Sequence, residues 1–163
     1  MRVHLLARVV IMRTANDGVS VLLAQQIGAS HTFLPGGHVE PGEGLPATLV
    51  RELEEELGVA IRVVEYLGTV EHQWPEAEPS HYEVNHVFLA ELCEPTAELV
   101  SRELHLRFFW CPVDALAEHR LSPAPLRGLI ARRAAGDRSV WWASTLPEPA
   151  AQDDLSAAEE RGG

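Results

Sequence analysis

Alternation between apolar and polar side chains predicts two strands at the start of the chain. From Val3 to Ile11 every second residue is aliphatic, which is the period-two pattern of a strand with one buried face. The turn sequence Asn16-Asp17-Gly18 comes next, and residues 19–26 form a second apolar run. Because Asp-Gly between two such runs is typical of a tight turn, these segments predict an antiparallel hairpin.

A glycine-rich loop and a helix are predicted next. A short strand is predicted at residues 32–34, and the four glycines and one proline between Gly36 and Gly44 predict a loop. A helix is predicted over residues 45–57, with Pro46 in its first turn and Gly58 at its end. A stripe of aliphatic side chains on this helix is expected to be buried on a sheet and consists of Leu49, Val50, Leu53 and Leu57.

The second half of the chain predicts more strands and one more helix. Strands are predicted over 59–73, 82–92 and 108–111, a helical turn over 113–119 and a helix over 125–135, with a loop at 74–80. Trp141 and Trp142 are expected to pack on the last helix, and a dimer contact is the alternative for them. This order of elements favours mixed sheets packed between helices, an α/β (α+β) fold, over a regularly alternating parallel sheet.

Length and composition predict one domain and a tail. A chain of 163 residues with 46% hydrophobic residues is suited to a single core. We expect this domain to span residues 1–146. The segment 147–163 carries five acidic residues and one arginine among small residues and prolines, so it is expected to be a disordered acidic tail.

The charge of the chain limits its partners. The formal net charge is -11, and all 13 basic residues are arginines, which excludes a Schiff-base lysine and a P-loop lysine. Long-range repulsion from a nucleic-acid backbone argues against long DNA or RNA as a ligand. If this protein handles phosphates, it is therefore expected to do so with metal ions.

The location of the protein is expected to be cytoplasmic. Two cysteines are too few for a disulfide framework, and no apolar run approaches 18 residues. The apolar N-terminal stretch is interrupted by His4 and Arg8 and lacks a small-residue cleavage site after it, so it predicts a strand and no membrane contact.

Three glutamates on the predicted first helix are the strongest sign of chemistry. Glu52, Glu55 and Glu56 are spaced i, i+3 and i+4, so their carboxylates share one helix face. In a partly desolvated cleft each close pair would repel by roughly 4 kcal/mol, which favours protonation or a bound cation. Hard oxygen ligands suit Mg²⁺ or Mn²⁺. A solvated acidic helix face is the alternative for a bare run of glutamates.

The surrounding residues match a family signature. The segment resembles the Nudix box, G-x5-E-x7-R-E-U-x-E-E-x-G-U, in which U is a bulky aliphatic residue. All nine specified positions are filled over residues 37–59, by Gly37, Glu43, Arg51, Glu52, Leu53, Glu55, Glu56, Gly58 and Val59. The resemblance implies a Nudix hydrolase domain over residues 1–146, folded as an α/β/α sandwich around mixed β-sheets.

The resemblance also implies an activity and a set of site residues. The activity is metal-dependent hydrolysis of a nucleoside diphosphate linked to another moiety, by attack of water at phosphorus. Carried over by position, Glu52, Glu55 and Glu56 are metal ligands and Glu52 is also a candidate general base. The Gly36 carbonyl is a further ligand. The remaining implied residues are Arg51, which pairs with box carboxylates, and Glu43, which joins that network or the outer metal shell.

One more acidic ligand from a downstream loop is common in this family. The sequence offers Glu98 and Glu103 as preferred candidates, and Glu91 and Glu94 as weaker ones. Each of the four is also suited to an exposed surface position.

Substrate-binding residues are predicted at strand ends and loop edges near the expected cleft. The candidates are Trp74, Phe33, His38, His72, Tyr82 and Asn85. Trp74 could stack on a base, or pack on a neighbouring loop. Phe33 also suits a core position. Asn85 could hydrogen-bond a base edge or the backbone, and His38 could contact phosphate or face solvent.

The substrate itself is open at this level. A nucleoside triphosphate, oxidised or ordinary, and a nucleotide sugar are the leading candidates, and a dinucleoside polyphosphate or a capped RNA end is the alternative. A non-catalytic nucleotide-binding module is a further alternative, which the complete acidic set argues against. The resemblance also makes a homodimer plausible.

Overall fold

The computed structural model describes residues 1–148, so the predicted acidic tail lies outside the described residues from position 149 onward. The described part contains seven strands and two α-helices. Their bounds in chain order are β1 (Arg2–Ala15), β2 (Gly18–Gln26), β3 (Gly36–His38), α1 (Leu45–Leu57), β4 (Ile61–Trp74), β5 (His81–Leu92), β6 (Leu106–Pro112), α2 (Pro125–Ala134) and β7 (Trp141–Ser144). A short 3-10 turn at Val113–Ala115 follows β6.

The strands form one mixed sheet. Their order is β6-β2-β1-β5-β4-β7, with β3 paired to β1 outside this path. Strand β1 changes partners along its length: residues 2–11 run parallel to β5, and residues 12–15 form the hairpin with β2. Strand β3 pairs antiparallel with Leu6, Ala7 and Arg8. This arrangement confirms the mixed α/β fold that the element order predicts.

Alternate residues of β1 pack on opposite faces of the sheet. Val9 and Ile11 pack in the core cluster that holds α1, whereas Val10 packs in the cluster that holds α2. The helices therefore cover the two faces, which gives the α/β/α layering. Trp141 joins the α2-side cluster, as predicted, whereas Trp142 is 65% exposed.

Helix α1 has the predicted bounds and ends at Gly58, which adopts a left-handed conformation with φ 65°. Its apolar stripe differs from the prediction at one position. Leu49, Leu53 and Leu57 are buried, but Val50 is 46% exposed. Thr48 is also buried, and its hydroxyl donates to the Glu43 carboxylate, 2.8 Å away.

Two local predictions are corrected by strand pairing. The start of the predicted glycine-rich loop is strand β3, because the glycine at position 36 lets the backbone approach β1 closely. Trp74 was predicted in a loop but ends strand β4, where it pairs with His81. Within residues 1–148, neither helix has the length and apolar character needed to cross a bilayer.

Candidate active site

The hydrogen-bond pattern between β1 and β3 leaves the Gly36 backbone free. Val9 N–H donates to the Pro35 carbonyl at 2.9 Å, and Val39 N–H donates to the Leu5 carbonyl at 3.2 Å. Hydrogen-bonded and non-hydrogen-bonded residue pairs alternate along an antiparallel ladder. The Arg8–Gly36 pair is therefore a non-hydrogen-bonded one, and the N–H and C=O of Gly36 point away from β1. Gly36 lines the same cavity as Glu52 and Glu56, which has a volume of about 460 Å³.

Gly37 forms a cradle for the Glu52 carboxylate. A Cβ atom added at Gly37 would lie 2.5 Å from Glu52 Cδ and 2.6 Å from Glu52 Oε1. Any side chain at position 37 would thus occupy the space of the carboxylate. The glycine at this box position is explained by that close approach.

Glu56 lies one turn after Glu52 and faces the same cavity. Burial, together with the negative charge of Glu52, raises the pKa of Glu56 to about 8. Such a carboxyl group holds a proton at neutral pH unless a cation replaces it. The two glutamates therefore form a site that favours positive charge.

Arg51 connects the helix to the loop before it. Its guanidinium makes a two-pronged ion pair with Glu43, with Nε 2.7 Å from Oε1 and Nη2 2.9 Å from Oε2. This contact holds the pKa of Glu43 at about 2. Nη1 donates to Glu52 at 2.9 Å, and Nη2 donates to the His38 carbonyl at 3.2 Å. Arg51 thus fixes the orientation of Glu52.

Glu43 lies near the start of α1 without capping it. The N-cap residue is Gly44, and no side chain caps the first turn. Glu43 accepts hydrogen bonds from the Thr48 hydroxyl and from Glu40 N–H, in addition to its pair with Arg51. Glu43 is thus one of the carboxylates paired with Arg51.

Glu55 is not brought to the cavity. Its side chain is 55% exposed and its Oε2 lies 3.3 Å from Arg51 Nη1. Among residues 1–148, no three acidic, histidine or cysteine side chains are arranged to hold a metal ion. Glu52, Glu56 and Gly36 line one cavity, and carboxylate and backbone carbonyl oxygens are the kinds of ligand that Mg²⁺ or Mn²⁺ prefers.

The loop before β6 brings Glu103 towards Glu56. Arg102 N–H donates to the Glu56 carbonyl at 2.7 Å, and the Arg102 guanidinium packs against Gly58, where a Cβ would clash with it. The charge of Glu103 contributes to the raised pKa of Glu56. The other three candidates for an additional ligand lie elsewhere: Glu91 pairs with Arg62, and Glu94 and Glu98 line a cavity beside the C-terminal end of α1.

An aromatic cavity of about 130 Å³ lies next to the acidic one. Trp74, Phe33 and His31 line it, with Leu34 and Leu126 among the apolar lining residues. The rings of His31 and Trp74 are 5.3 Å apart at their centroids. Such a cavity can accept a flat ring.

The polar side chains of this cavity are linked to one another. Trp74 Nε1 donates to Glu83 Oε1 at 2.9 Å, and Asn85 Nδ2 lies 3.4 Å from Glu83 Oε2. Arg8 Nε lies 3.4 Å from Asn85 Oδ1. Asn85 is 1% exposed, and its side chain contacts Arg8 and Glu83; among residues 1–148 it does not form the backbone contact that was one of the two alternatives for it.

The other predicted substrate residues are placed differently. His72 supports Trp74 from the side, with centroids 4.5 Å apart, and donates to or accepts from Thr145 Oγ1 at 2.7 Å. His38 lines the acidic cavity and hydrogen-bonds His4 at 2.8 Å. Tyr82 lies on the opposite face of β5 from Asn85, because strand side chains alternate, and its hydroxyl donates to Glu71.

Arg8, His31 and Glu83 are site residues that sequence reasoning did not select. A signal existed for Arg8, which is a charged residue on the same strand face as the buried Val10. Glu83 and Asn85 similarly share one face of strand β5, on the side that also carries Val87 and Leu89. Polar residues that repeat with period two on a buried face indicate a cavity there.

The chain matches the family model described as NUDIX domain over residues 3–133. It is 34% identical to the CTP pyrophosphohydrolase of Escherichia coli over 126 residues, which is 73% of this chain and 87% of that protein. It is 31% identical to the NAD-capped RNA hydrolase NudC of Pseudomonas aeruginosa over 122 residues, which is 71% of this chain. The chain spans only 38% of the length of that relative.

The fold is similar to that of solved structures. The solution structure of the E. coli ORF135 protein matches with a TM-score of 0.59 and 31% sequence identity. The match covers 85% of this chain and 96% of that one. The matched domain is therefore comparable in extent in the two proteins.

Proposed function

Because this chain belongs to the Nudix hydrolase family, we propose that it hydrolyses the phosphoanhydride bond of a small nucleotide with the help of Mg²⁺ or Mn²⁺. The observation that carries this proposal is that Glu52, Glu56 and Gly36 line one cavity. The metal ion, when bound, would neutralise charge on the phosphates and acidify the attacking water.

The roles of the side chains follow from their positions. Glu56 would help to hold the cation, which would take the place of the proton that burial and the charge of Glu52 otherwise favour on its carboxyl group. Glu52, oriented by Arg51 and cradled by Gly37, accepts the proton of the water that attacks phosphorus. Arg51 and Glu43 keep this geometry. The products are a nucleotide and a fragment that carries the other phosphate.

We place the nucleoside of the substrate in the aromatic cavity. Trp74 and Phe33 supply ring faces for stacking, and the edge with Glu83 and Asn85 supplies hydrogen-bonding groups. A nucleoside triphosphate or a nucleotide sugar fits this arrangement. A dinucleoside polyphosphate is the second candidate, while the net charge of -11 disfavours a long RNA. We also expect the protein to be cytoplasmic and to form a homodimer.

A hydrolysis screen tests this function. The full chain would be incubated with nucleoside triphosphates, nucleotide sugars, a dinucleoside polyphosphate and NAD, each with Mg²⁺, with Mn²⁺ and with EDTA. Chromatography and phosphorus NMR would identify the products. We expect turnover of at least one class with metal and none with EDTA. Nucleotide binding without turnover would instead favour a non-catalytic module.

Glu103 is our choice for the additional acidic ligand, because it is the candidate whose charge acts on Glu56. We expect Glu103→Gln to weaken Mn²⁺ binding about 10-fold or more, as loss of a ligand or of its hydrogen-bonded support does in metal sites. Glu98→Gln is the matched control and should leave Mn²⁺ binding unchanged, since Glu98 lies in a different cavity. Calorimetric Mn²⁺ titration measures both. Equal losses in the two variants would contradict the choice.

The metal-free protein should lose stability as pH rises. The folded-state pKa of Glu56 is raised from 4.5 to about 8, so the fold favours the protonated form. Its stabilising contribution is complete below about pH 4.5 and is lost as pH rises through 8. In EDTA at pH 9, Glu56→Gln should therefore melt at a higher temperature than wild type, and the difference should vanish near pH 5. A difference in melting temperature between the two proteins that stays the same from pH 5 to pH 9 would contradict the prediction.

A further inference from the structure

Arg8 lies where the two cavities meet. Its side chain lines the acidic cavity together with Glu52 and Glu56, and it also lines the aromatic cavity together with Trp74 and Asn85. A nucleotide that occupies both cavities must pass this side chain. The part of the nucleotide between base and cleaved bond is the ribose and the phosphate attached to it.

Neutral groups hold the Arg8 guanidinium in place. Nη1 donates to the Leu34 carbonyl at 3.2 Å, Nε lies 3.4 Å from Asn85 Oδ1, and Cζ lies 5.4 Å from the centre of the Phe33 ring. Within residues 1–148 Arg8 forms no salt bridge, and its Nη2 makes no hydrogen bond. One edge of the guanidinium thus has donors without an acceptor.

The charge around Arg8 is balanced only at longer range, by Glu52, Glu56 and Glu83. Arg8 is partly buried, and a cation that is partly removed from water without a direct anionic partner is costly. Cations bound to Glu52 and Glu56 would neutralise two of the negative charges that offset the positive charge of Arg8. A group with negative charge is therefore expected beside Arg8 when the site is filled.

We propose that Arg8 binds the phosphate attached to the nucleoside of the substrate, through the free Nη2 edge. This inference rests on the proposed function, which places phosphates at Glu52 and Glu56 and the base near Trp74. Arginine presents two parallel N–H donors, and this geometry matches a phosphate better than any single donor does. Asn85 acts as a positioning residue, because its Oδ1 accepts from Arg8 Nε.

A comparison of nucleotide with nucleoside tests the contact directly. The probes are the nucleoside monophosphate released by wild type and the corresponding nucleoside, each titrated calorimetrically in Mg²⁺. We expect Arg8→Met to weaken binding of the monophosphate about 10- to 100-fold, as loss of a charge-assisted hydrogen bond does. Nucleoside binding should stay within about two-fold, because the phosphate is absent from it.

Arg13 provides the matched control. It lies on the same strand, and its Cζ is 4.4 Å from the centre of the Trp110 ring, but it lines neither cavity of the site. Arg13→Met should leave both affinities unchanged. Arg8→Lys retains the charge and should keep part of the preference for the monophosphate, and it replaces Arg8→Met if that variant does not fold.

The outcomes separate a phosphate contact from a structural role. Equal losses for monophosphate and nucleoside would show that Arg8 only shapes the aromatic cavity, and unchanged binding would show that it does not contact the ligand. Wild type that binds both probes equally well would also overturn the inference. If wild type hydrolyses a nucleotide and any of these binding results is found, the Arg8 contact is refuted and the proposed function stands. If wild type hydrolyses no nucleotide, the proposed function itself is refuted.

Discussion

Replacing Glu52 with glutamine is expected to lower kcat by about 10²- to 10⁴-fold while the fold stays intact. Glutamine has nearly the same shape, so it fits the cradle beside Gly37 and can still accept a hydrogen bond from Arg51. It cannot take the proton of the attacking water or neutralise a cation. The loss should therefore appear in kcat at saturating metal, with an unchanged melting temperature. Glu56→Gln should be as inactive, because Glu56 faces the same cavity.

Two further glutamates of the same helix supply the controls. Glu54 is exposed and pairs at 3.7 Å with Arg102, so Glu54→Gln should retain wild-type activity. Glu55→Gln should cost less than about 10-fold, because Glu55 contacts Arg51 and lies outside the acidic cavity. A Glu55→Gln loss equal to that of Glu52→Gln would show that Glu55 turns inward and binds the metal. Full activity of Glu52→Gln would refute the catalytic assignment.

Much of the fold could be predicted because local patterns and tertiary packing agree. Helix α1 has the predicted bounds, since Pro46 can begin a helix and Gly58 can adopt the left-handed conformation that ends one. The hairpin of β1 and β2 follows from period-two alternation around a turn. Val50 was wrongly predicted to be buried, because helical spacing alone does not show how far the sheet covers the edge of the apolar stripe.

The candidate site divides into a predictable and an unpredictable part. The box carboxylates are local in sequence, so spacing brings Glu52 and Glu56 to one face, although it cannot show that Glu55 turns to Arg51. The aromatic cavity joins residues far apart in the chain. Arg8, Glu83 and Asn85 meet because β1 runs parallel to β5, a pairing that no local pattern specifies.

Alanine substitutions at the neighbouring Gly36 and Gly37 should have different effects, the first on stability and the second on activity. Gly36 has φ +139°, and a Cβ there would collide with the Ala7 carbonyl oxygen, a backbone atom in the paired strand. Because backbone cannot yield without loss of the β1–β3 pairing, Gly36→Ala should destabilise the protein by more than about 4 kcal/mol. Gly42→Ala is its control: with φ +81° and nothing within 4 Å of the added Cβ, it should cost only about 1–2 kcal/mol.

Gly37→Ala should act on activity instead. The three atoms nearest to its Cβ all belong to the Glu52 carboxylate, which is the movable end of a flexible side chain. We expect the carboxylate to be displaced, kcat to fall by about 10²-fold or more, and the denaturation midpoint to stay near that of wild type. Urea unfolding and steady-state kinetics on Gly36→Ala, Gly37→Ala and Gly42→Ala would measure both effects. Stability losses of equal size at 36 and 42 would argue against the β1–β3 register, and full activity of Gly37→Ala would show that Glu52 does not need its position beside the loop.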